Sequence, residues 1–515
     1  MSHLTAWPVF LPLIAGFILL LAQMGGLRLQ RMISLLVVFG LVVLSFTLLK
    51  EASTGAHQIY LLGNWIAPFG IVLVLDQLSA LMVTITSLLA LGALAYAVAT
   101  DTDKKGAHFH VLFQLQLFGL NGAFLTGDVF NLFVFFEVLL LASYGLLLHG
   151  SGRLRTKAGL HYVVINLIGS TLFLFAVGAL YGVLGTLNMA DMAAKVAVAP
   201  ADDLGLIAAA GLLLLVVFGV KAAMFPLYLW MPSAYANTSA PVAALFAIMT
   251  KVGIYSIIRV HGTVFSDNAG ELANYYAPWV LGLGLVTLML AALGVMASRG
   301  LREQIAYLVL ASVATLLIGV GLNSPEALSA TLYYLIHSTL IAGAMFLLAD
   351  IILKGRGVYE DRFESGTAMP NAILIGSVFM FGAIAMTGMP PLSGFFGKVL
   401  VLSAALDHVW FAWILGVVLF AGLLMILSMA RTGSLLFYKT IPEEASANSS
   451  GSQTGPSLNR MALAAVLGLF LASPVLVLFA QPITAYTESA ANQQFNPSNY
   501  IEAVLSAPAI TENNK

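Results

Sequence analysis

LGLIAAAGLLLLVVFGVKAAMFPLYLWMP, residues 204–232, decides the fold class. From Leu204 to Val220 there is no charge, a run that as a helix covers about 25 Å of a ~30 Å hydrocarbon core. A lysine and two prolines then interrupt it. Met369–Gly397 is likewise uncharged, and so is Ala327–Ala349 with His337 neutral. These runs are continuous and do not alternate with period two, so they read as helices and not as barrel strands.

Composition agrees. The 515 residues are 60% hydrophobic and 9% charged, against about 25% charged in a soluble domain. Lipid must therefore cover most of the surface. A net charge of −1 gives nucleic acid no electrostatic footprint. With no cysteine, disulfides, Cys-ligated iron–sulfur clusters, thiol catalysis and thiolate metal sites are excluded. Leu4–Ala22 has no Lys or Arg before it and reads as a retained first helix.

Apolar runs and charged breaks predict an all-α polytopic membrane protein of about fourteen spans: 4–24, 32–49, 71–99, 108–126, 128–148, 159–184, 204–229, 240–261, 274–297, 303–322, 327–353, 371–405, 411–436 and 460–480. With the N-terminus outside, fifteen of the 22 Lys and Arg fall on the inner side. Lys50, Lys195, Arg259 and Lys515 fall outside, as the positive-inside rule requires. Both termini are thus expected outside. Lys221, Lys251 and Lys398 fall inside spans, with Glu137 and His337. Residues 442–457 (PEEASANSSGSQTGPS) read as a flexible linker, and the polar tail after Tyr486 as an outer-surface arm.

A charged group inside a span costs roughly 2.5–3.5 kcal/mol or more. One structural ion pair between Glu137 and Lys221 would lock two helices, yet would leave two lysines and a histidine at similar depth unexplained. A row of groups that exchange protons accounts for all five. Pro226 and Pro232 follow Lys221; Pro390 and Pro391 precede Lys398. Each pair is expected to break its helix, and paired breaks mark an ion path. Spans 4–8 and spans 9–13 are each five helices with the break in the fourth, the pattern of two inverted repeats with broken helices 7 and 12. The implied organisation is helices 1–3 in 1–106, a first repeat in 107–262, a second in 263–440, a linker at 441–458, and helix 14 with a polar tail in 459–515. Glu137 is the one acid deep in a span, so no oxygen cluster for a dehydrated cation is visible. The chain is expected to carry the proton half of any exchange.

GDVFNLFVFFEVLLLASY (127–144), VKAAMFPLYLWMPSAYANTSAPVAALFAIMTKVGIYSIIR (220–259), LREQIAYLVLASV (301–313), LYYLIHSTL (332–340) and GMPPLSGFFGKVLV (388–401) resemble the proton-pumping antiporter-like family of complex I and of Mrp-type (Mnh/Pha) cation/proton antiporters. LLGNWIAPFGIVLVLDQLSALM (61–82) is most similar to the D branch of the Mrp members. The resemblance implies Glu137 as switch glutamate and Lys221 as its partner on the broken seventh helix. It further implies Lys251 as central lysine, His337 as relay and Lys398 as terminal lysine of the broken twelfth. Many relatives carry a lysine after that histidine; here HSTLIAGAMF (337–346) leaves water, Ser338 or Thr339 to relay. The resemblance also implies Na+ or K+ exchange for H+ in a bacterial inner membrane, no cofactor, and a hetero-oligomer. Its other members would be one large A-type chain and small B-, C-, E-, F- and G-type chains. The rival reading is a pumping subunit of a complex I-like NADH–quinone oxidoreductase or membrane-bound hydrogenase.

Overall fold

The computed structural model describes residues 3–366, 369–439 and 458–508. In chain order the elements are α1 (Trp7–Ala22), α2 (Leu27–Ala52), β1 (Gln58–Leu61), β2 (Val72–Leu75), α3 (Gln77–Ala99), α4 (Phe109–Leu125), α5 (Val129–Leu148), α6 (Arg153–Leu184), α7 (Met189–Val196), α8 (Ala201–Ala222), α9 (Trp230–Asn237), α10 (Ala240–Phe246), α11 (Met249–Ser256) and α12 (Gly262–Val264). They continue as α13 (Ala277–Ala297), α14 (Leu301–Gly321), α15 (Pro325–Gly355), α16 (Ala372–Thr387), α17 (Ser393–Ala404), α18 (Phe411–Gly433), α19 (Arg460–Phe470), α20 (Ala472–Leu478), α21 (Ala480–Phe495) and α22 (Pro497–Leu505). Twelve described helical spans are long and apolar enough to cross a bilayer. With the 17-residue α4 and the broken α16–α17 pair they make the fourteen crossings expected.

Burial sorts these crossings into layers. Every residue in the apolar window of 240–264 is buried by protein, as are 94% of that in α14 and 89% of that in α15, whereas 411–438 keeps only 28% buried and α2 33%. The first three are therefore the core, and the last two face lipid. A helix enclosed by protein on all sides can be apolar all round, as these central spans are.

Two expectations are corrected, and a third gains a detail. The span drawn at 71–99 begins as β2, which pairs antiparallel with β1 from Gln58↔Leu75 to Leu61↔Val72. Alternating β-branched residues favour a strand there, and Asp76 starts α3 with a capping box to Ser79. The polar tail is not a free arm. Its described part forms α21 and α22, and Gln77 is tied to α21 by Ser489 Oγ at 2.9 Å, Gln493 Oε1 at 3.1 Å and Tyr486 Oη at 2.9 Å. Arg259, counted among the outer-side charges, is 3% exposed in a π-helical turn, Ile257–His261, and pairs with Asp76. The linker at 441–457 and Lys515 lie outside the described residues.

Gly253 of α11 makes a tight backbone approach in the core. A Cβ there would sit 2.5 Å from the Ala222 nitrogen and 2.7 Å from the Phe218 carbonyl of α8. Both are backbone atoms that cannot rotate away, so the glycine sets how near the helices of Lys221 and Lys251 approach. Gly253→Ala is expected to destabilise by about 1–3 kcal/mol as an overpacked contact. Gly178→Ala, with nothing within 4 Å of its added methyl, is expected to be neutral. Thermal unfolding of the detergent-solubilised protein reads both.

Candidate functional site

Each broken span ends its first half in the same way. At the C-terminus of α8, Ala223 adopts φ +56°, its N–H donates to Val220 O at 3.2 Å, and the Met224 N–H donates to Gly219 O at 2.8 Å. At the C-terminus of α16, Gly388 adopts φ +77°, its N–H donates to Ala385 O at 3.2 Å, and the Met389 N–H donates to Ile384 O at 3.0 Å. This is the Schellman pattern, with bonds closing over a left-handed residue. Pro226 and Pro391 each follow the left-handed residue by three positions and prevent the helix from resuming at once. The correspondence runs Ala223/Gly388, Met224/Met389, Pro226/Pro391. Pro232 differs from expectation. It lies in the first turn of α9, where no intrahelical N–H bond is lost, so it does not contribute to the break.

Side chains complete the satisfaction of the opened backbone. In the first break the Trp230 indole donates to Val220 O at 3.1 Å, and the Phe225 N–H donates to Thr287 Oγ1 of α13 at 2.9 Å. In the second, Lys398 Nζ donates back to Thr387 O at 2.7 Å, and His337 Nε2 lies 3.1 Å from Ala385 O. His337 Nδ1 meets Ser393 Oγ, the first residue of α17, at 2.7 Å. His337 thus spans both sides of the break, and Lys398 reaches the same opened turn.

Glu137 and Lys221 make no direct ion pair; α6 stands between them. The Ser170 hydroxyl donates to Glu137, while Lys221 Nζ donates to Asn166 Oδ1 at 3.1 Å and lies 5.9 Å from the Phe136 ring centroid. Asn166 and Ser170 are four residues apart, one turn on a single face of α6, and both are buried. A small cavity borders Lys221 and Asn166 beneath Tyr162, Trp230 and Met249. The signal for this bridge was present in INLIGS (165–170), two polar residues at i and i+4 in an apolar span. Trp230, Thr287 and Ser393 carry no comparable mark in the sequence.

Lys251 is the exception. It is fully buried, and its Nζ has no hydrogen-bond partner among the described residues. Its helix is irregular on both sides. A turn at Ala247–Ile248 separates α10 from α11, and the π segment follows at Ile257–His261. α11 packs on α8, and α10 packs on α15, so the segment carrying Lys251 touches the helices of both Lys221 and His337. The structure therefore groups the predicted residues into Glu137–Ser170/Asn166–Lys221, Lys251 alone, and His337–Lys398. No group of three or more His, Cys, Asp or Glu suited to a metal ion occurs among the described residues.

Known proteins match this chain along nearly its whole length. The family described as NADH:quinone oxidoreductase/Mrp antiporter, TM, matches residues 126–424. A Rhizobium meliloti protein, named as the D subunit of a probable K(+)/H(+) antiporter, is 41% identical, over 99% of this chain and 98% of its own. The D subunit of the Na(+)/H(+) antiporter of Alkalihalophilus pseudofirmus is 35% identical, over 98% of this chain and 100% of its own. A chain in the Mrp complex of Dietzia sp. superposes with a TM-score of 0.85 at 29% identity, covering 98% of this chain and 99% of that one.

The bridging role of α6 has a measurable consequence. Asn166→Leu deprives the buried Lys221 ammonium of its acceptor and is expected to destabilise by about 1–3 kcal/mol or more. Adding Lys221→Met, which removes the other partner, should recover most of that loss. A double-mutant cycle by thermal unfolding checks it; independent, additive effects would show that the bond is unimportant.

Proposed function

This chain belongs to the NADH:quinone oxidoreductase/Mrp antiporter transmembrane family, and from that premise we propose that it is the D subunit of a hetero-oligomeric antiporter exchanging Na+ or K+ for H+. It is part of a transporter, not an enzyme, and it is a multi-pass membrane protein that works with the other chains of the antiporter. The reading places it in the bacterial cytoplasmic membrane with both termini outside, supported by the basic residues biased to the opposite side. Two inverted repeats, 107–262 and 263–440, follow helices 1–3 (1–106). The 165-residue offset between matching Schellman caps supports that division.

The carrying observation is that each helix break holds a cluster of ionisable side chains, with Lys251 unpaired on the segment that touches both. Water and polar side chains can pass protons between groups whose partners are exchangeable. Lys221 leaves Asn166 to approach Glu137 when that carboxylate is free of Ser170. Charge placed on Lys221 changes the cost of charge on Lys251, because like charges repel strongly where the surroundings are dry. The same coupling passes to His337 and Lys398. Each of these changes moves a proton without moving a helix. The cation crosses elsewhere, in a partner, since Glu137 is the one carboxylate in mid-span.

The test is exchange by the whole antiporter in vesicles. Glu137→Gln and Lys221→Met are each expected to slow cation-dependent proton exchange by about a hundredfold or more, the scale of a lost proton-transfer group. The complex should still assemble normally. Full exchange with Gln at position 137 would overturn the reading.

A further inference from the structure

Lys251, Tyr255 and Arg259 recur every four residues along one helix, so they stack on one face over about 12 Å of rise. At the far end of this ladder is a buried ion pair that the mechanism above leaves unused. Arg259 Nη2 lies 2.6 Å from Asp76 Oδ2, both side chains being 3% exposed. Arg259 Nε donates to Tyr255 Oη at 3.2 Å, and Nη1 donates to Gln494 Oε1 at 3.2 Å. The guanidinium lies 5.6 Å from the Tyr255 ring centroid and 5.4 Å from that of Tyr500. The Tyr500 hydroxyl is buried without a hydrogen-bond partner among the described residues. Beyond it the ring of half-buried His57 meets the Tyr500 ring edge-on, with centroids 5.8 Å apart.

We propose that this row is a branch of the proton path, leading from Lys251 past Tyr255 and the Asp76–Arg259 pair to His57 at the surface that carries the hairpin. The inference rests on the antiporter reading and adds an outlet to it. A purely structural staple needs the Asp76–Arg259–Gln494 contacts, which join the hairpin to α21. It does not need Lys251, Tyr255 and Arg259 at four-residue spacing with a half-buried histidine beyond them. It also does not need the unsatisfied hydroxyl on the tyrosine whose ring lies against both that histidine and Arg259.

The groups have complementary parts. Burial works to raise the Asp76 carboxyl, but the Arg259 charge and the Ser79 N–H outweigh it and hold it below the usual carboxylate range. The pair is therefore closed at rest. Positive charge arriving on Lys251 repels Arg259, whose other contacts are the two tyrosine faces and Gln494. Asp76 freed of that charge can accept the proton that Lys251 gives up, relayed by Tyr255, whose oxygen takes it while its own hydrogen, held on Phe124 O at 2.6 Å, turns and moves on. Asp76 then releases it toward His57. Burial pushes the His57 imidazole below its ordinary value, against the attraction of Asp76, and Arg259 adds to the lowering. A proton taken up by His57 thus leaves readily to water. Each group returns to its starting state, and one proton passes from Lys251 to the medium. The other titratable groups facing the cluster are Tyr486 on α21 and Asp128 at the start of α5; burial lifts the Asp128 carboxyl to about 6.

The experiment uses the assembled antiporter in vesicles, with the hairpin-side pH varied independently. His57→Ala is expected to slow exchange about tenfold, less than a buried transfer group because water reaches this position. It should also change the dependence of rate on hairpin-side pH. Imidazole added on that side should restore the rate. Asp76→Asn, which keeps an oxygen to cap α3, should slow exchange more and resist imidazole. A wild-type rate in His57→Ala overturns the branch, as does a slow rate that imidazole leaves unchanged with an unaltered pH profile, which is the behaviour of a packing residue. Glu137→Gln in the same vesicles separates the two ideas. Lost exchange there with a wild-type His57→Ala sinks the branch alone, whereas retained exchange sinks the antiporter reading itself.

Discussion

A charge or a free carbonyl in hydrocarbon must find a polar partner inside the protein, because no water competes for it. That constraint shapes the centre of this molecule. Opening a helix at Ala223 or Gly388 exposes backbone groups, and these are met by Trp230, Thr287, Lys398 and His337. Keeping a lysine charged within a membrane requires an acceptor, and Asn166 or a freed carbonyl supplies one for Lys221 and Lys398. The breaks and the charges are thus one device. The opened turn gives the second lysine its oxygen, and that lysine in turn satisfies the turn.

The two breaks are alike in backbone and unlike in side chain. The Schellman bonds recur with a constant offset, yet the lysine comes just before the first left-handed residue and ten residues after the second. Lys221 therefore sits inside α8 and reaches across to α6, while Lys398 reaches back to the opened end of α16. Lys221 is buried and Lys398 only partly so. Like backbone breaks thus accompany one interior lysine and one nearer the edge.

Much of this was readable in the sequence. Span number followed from apolar run length, and the break positions from Lys221–Pro226 and Pro390–Pro391, because hydrocarbon thickness and the missing proline N–H act locally. Pro232 misled because proline in a first helical turn costs nothing, and only the helix start tells the two cases apart. The strand at Val72–Leu75 looked like the beginning of a span because four apolar residues fit either reading until their partner, Gln58–Leu61, is known. Arg259 looked peripheral because its acid, Asp76, is 183 residues away in sequence. Pairings of that range leave no local mark. Asn166 and Ser170 did leave one, a polar pair at helical spacing.

Lys251 shows why packing and chemistry cannot be separated here. Gly253, two residues on, brings α11 against the backbone of α8, so the segment around the lysine is held tightly while the lysine itself is bonded to nothing described. An unpartnered buried amine is costly when charged and nearly free of cost when neutral. Its charge state then depends on the groups around it, not on a fixed partner. Glu137, Lys221, His337 and Lys398 all have such partners and can hold a state. Of the five groups in the proposed row, the tightly framed lysine between the two breaks is the one whose state no bond to a described residue fixes.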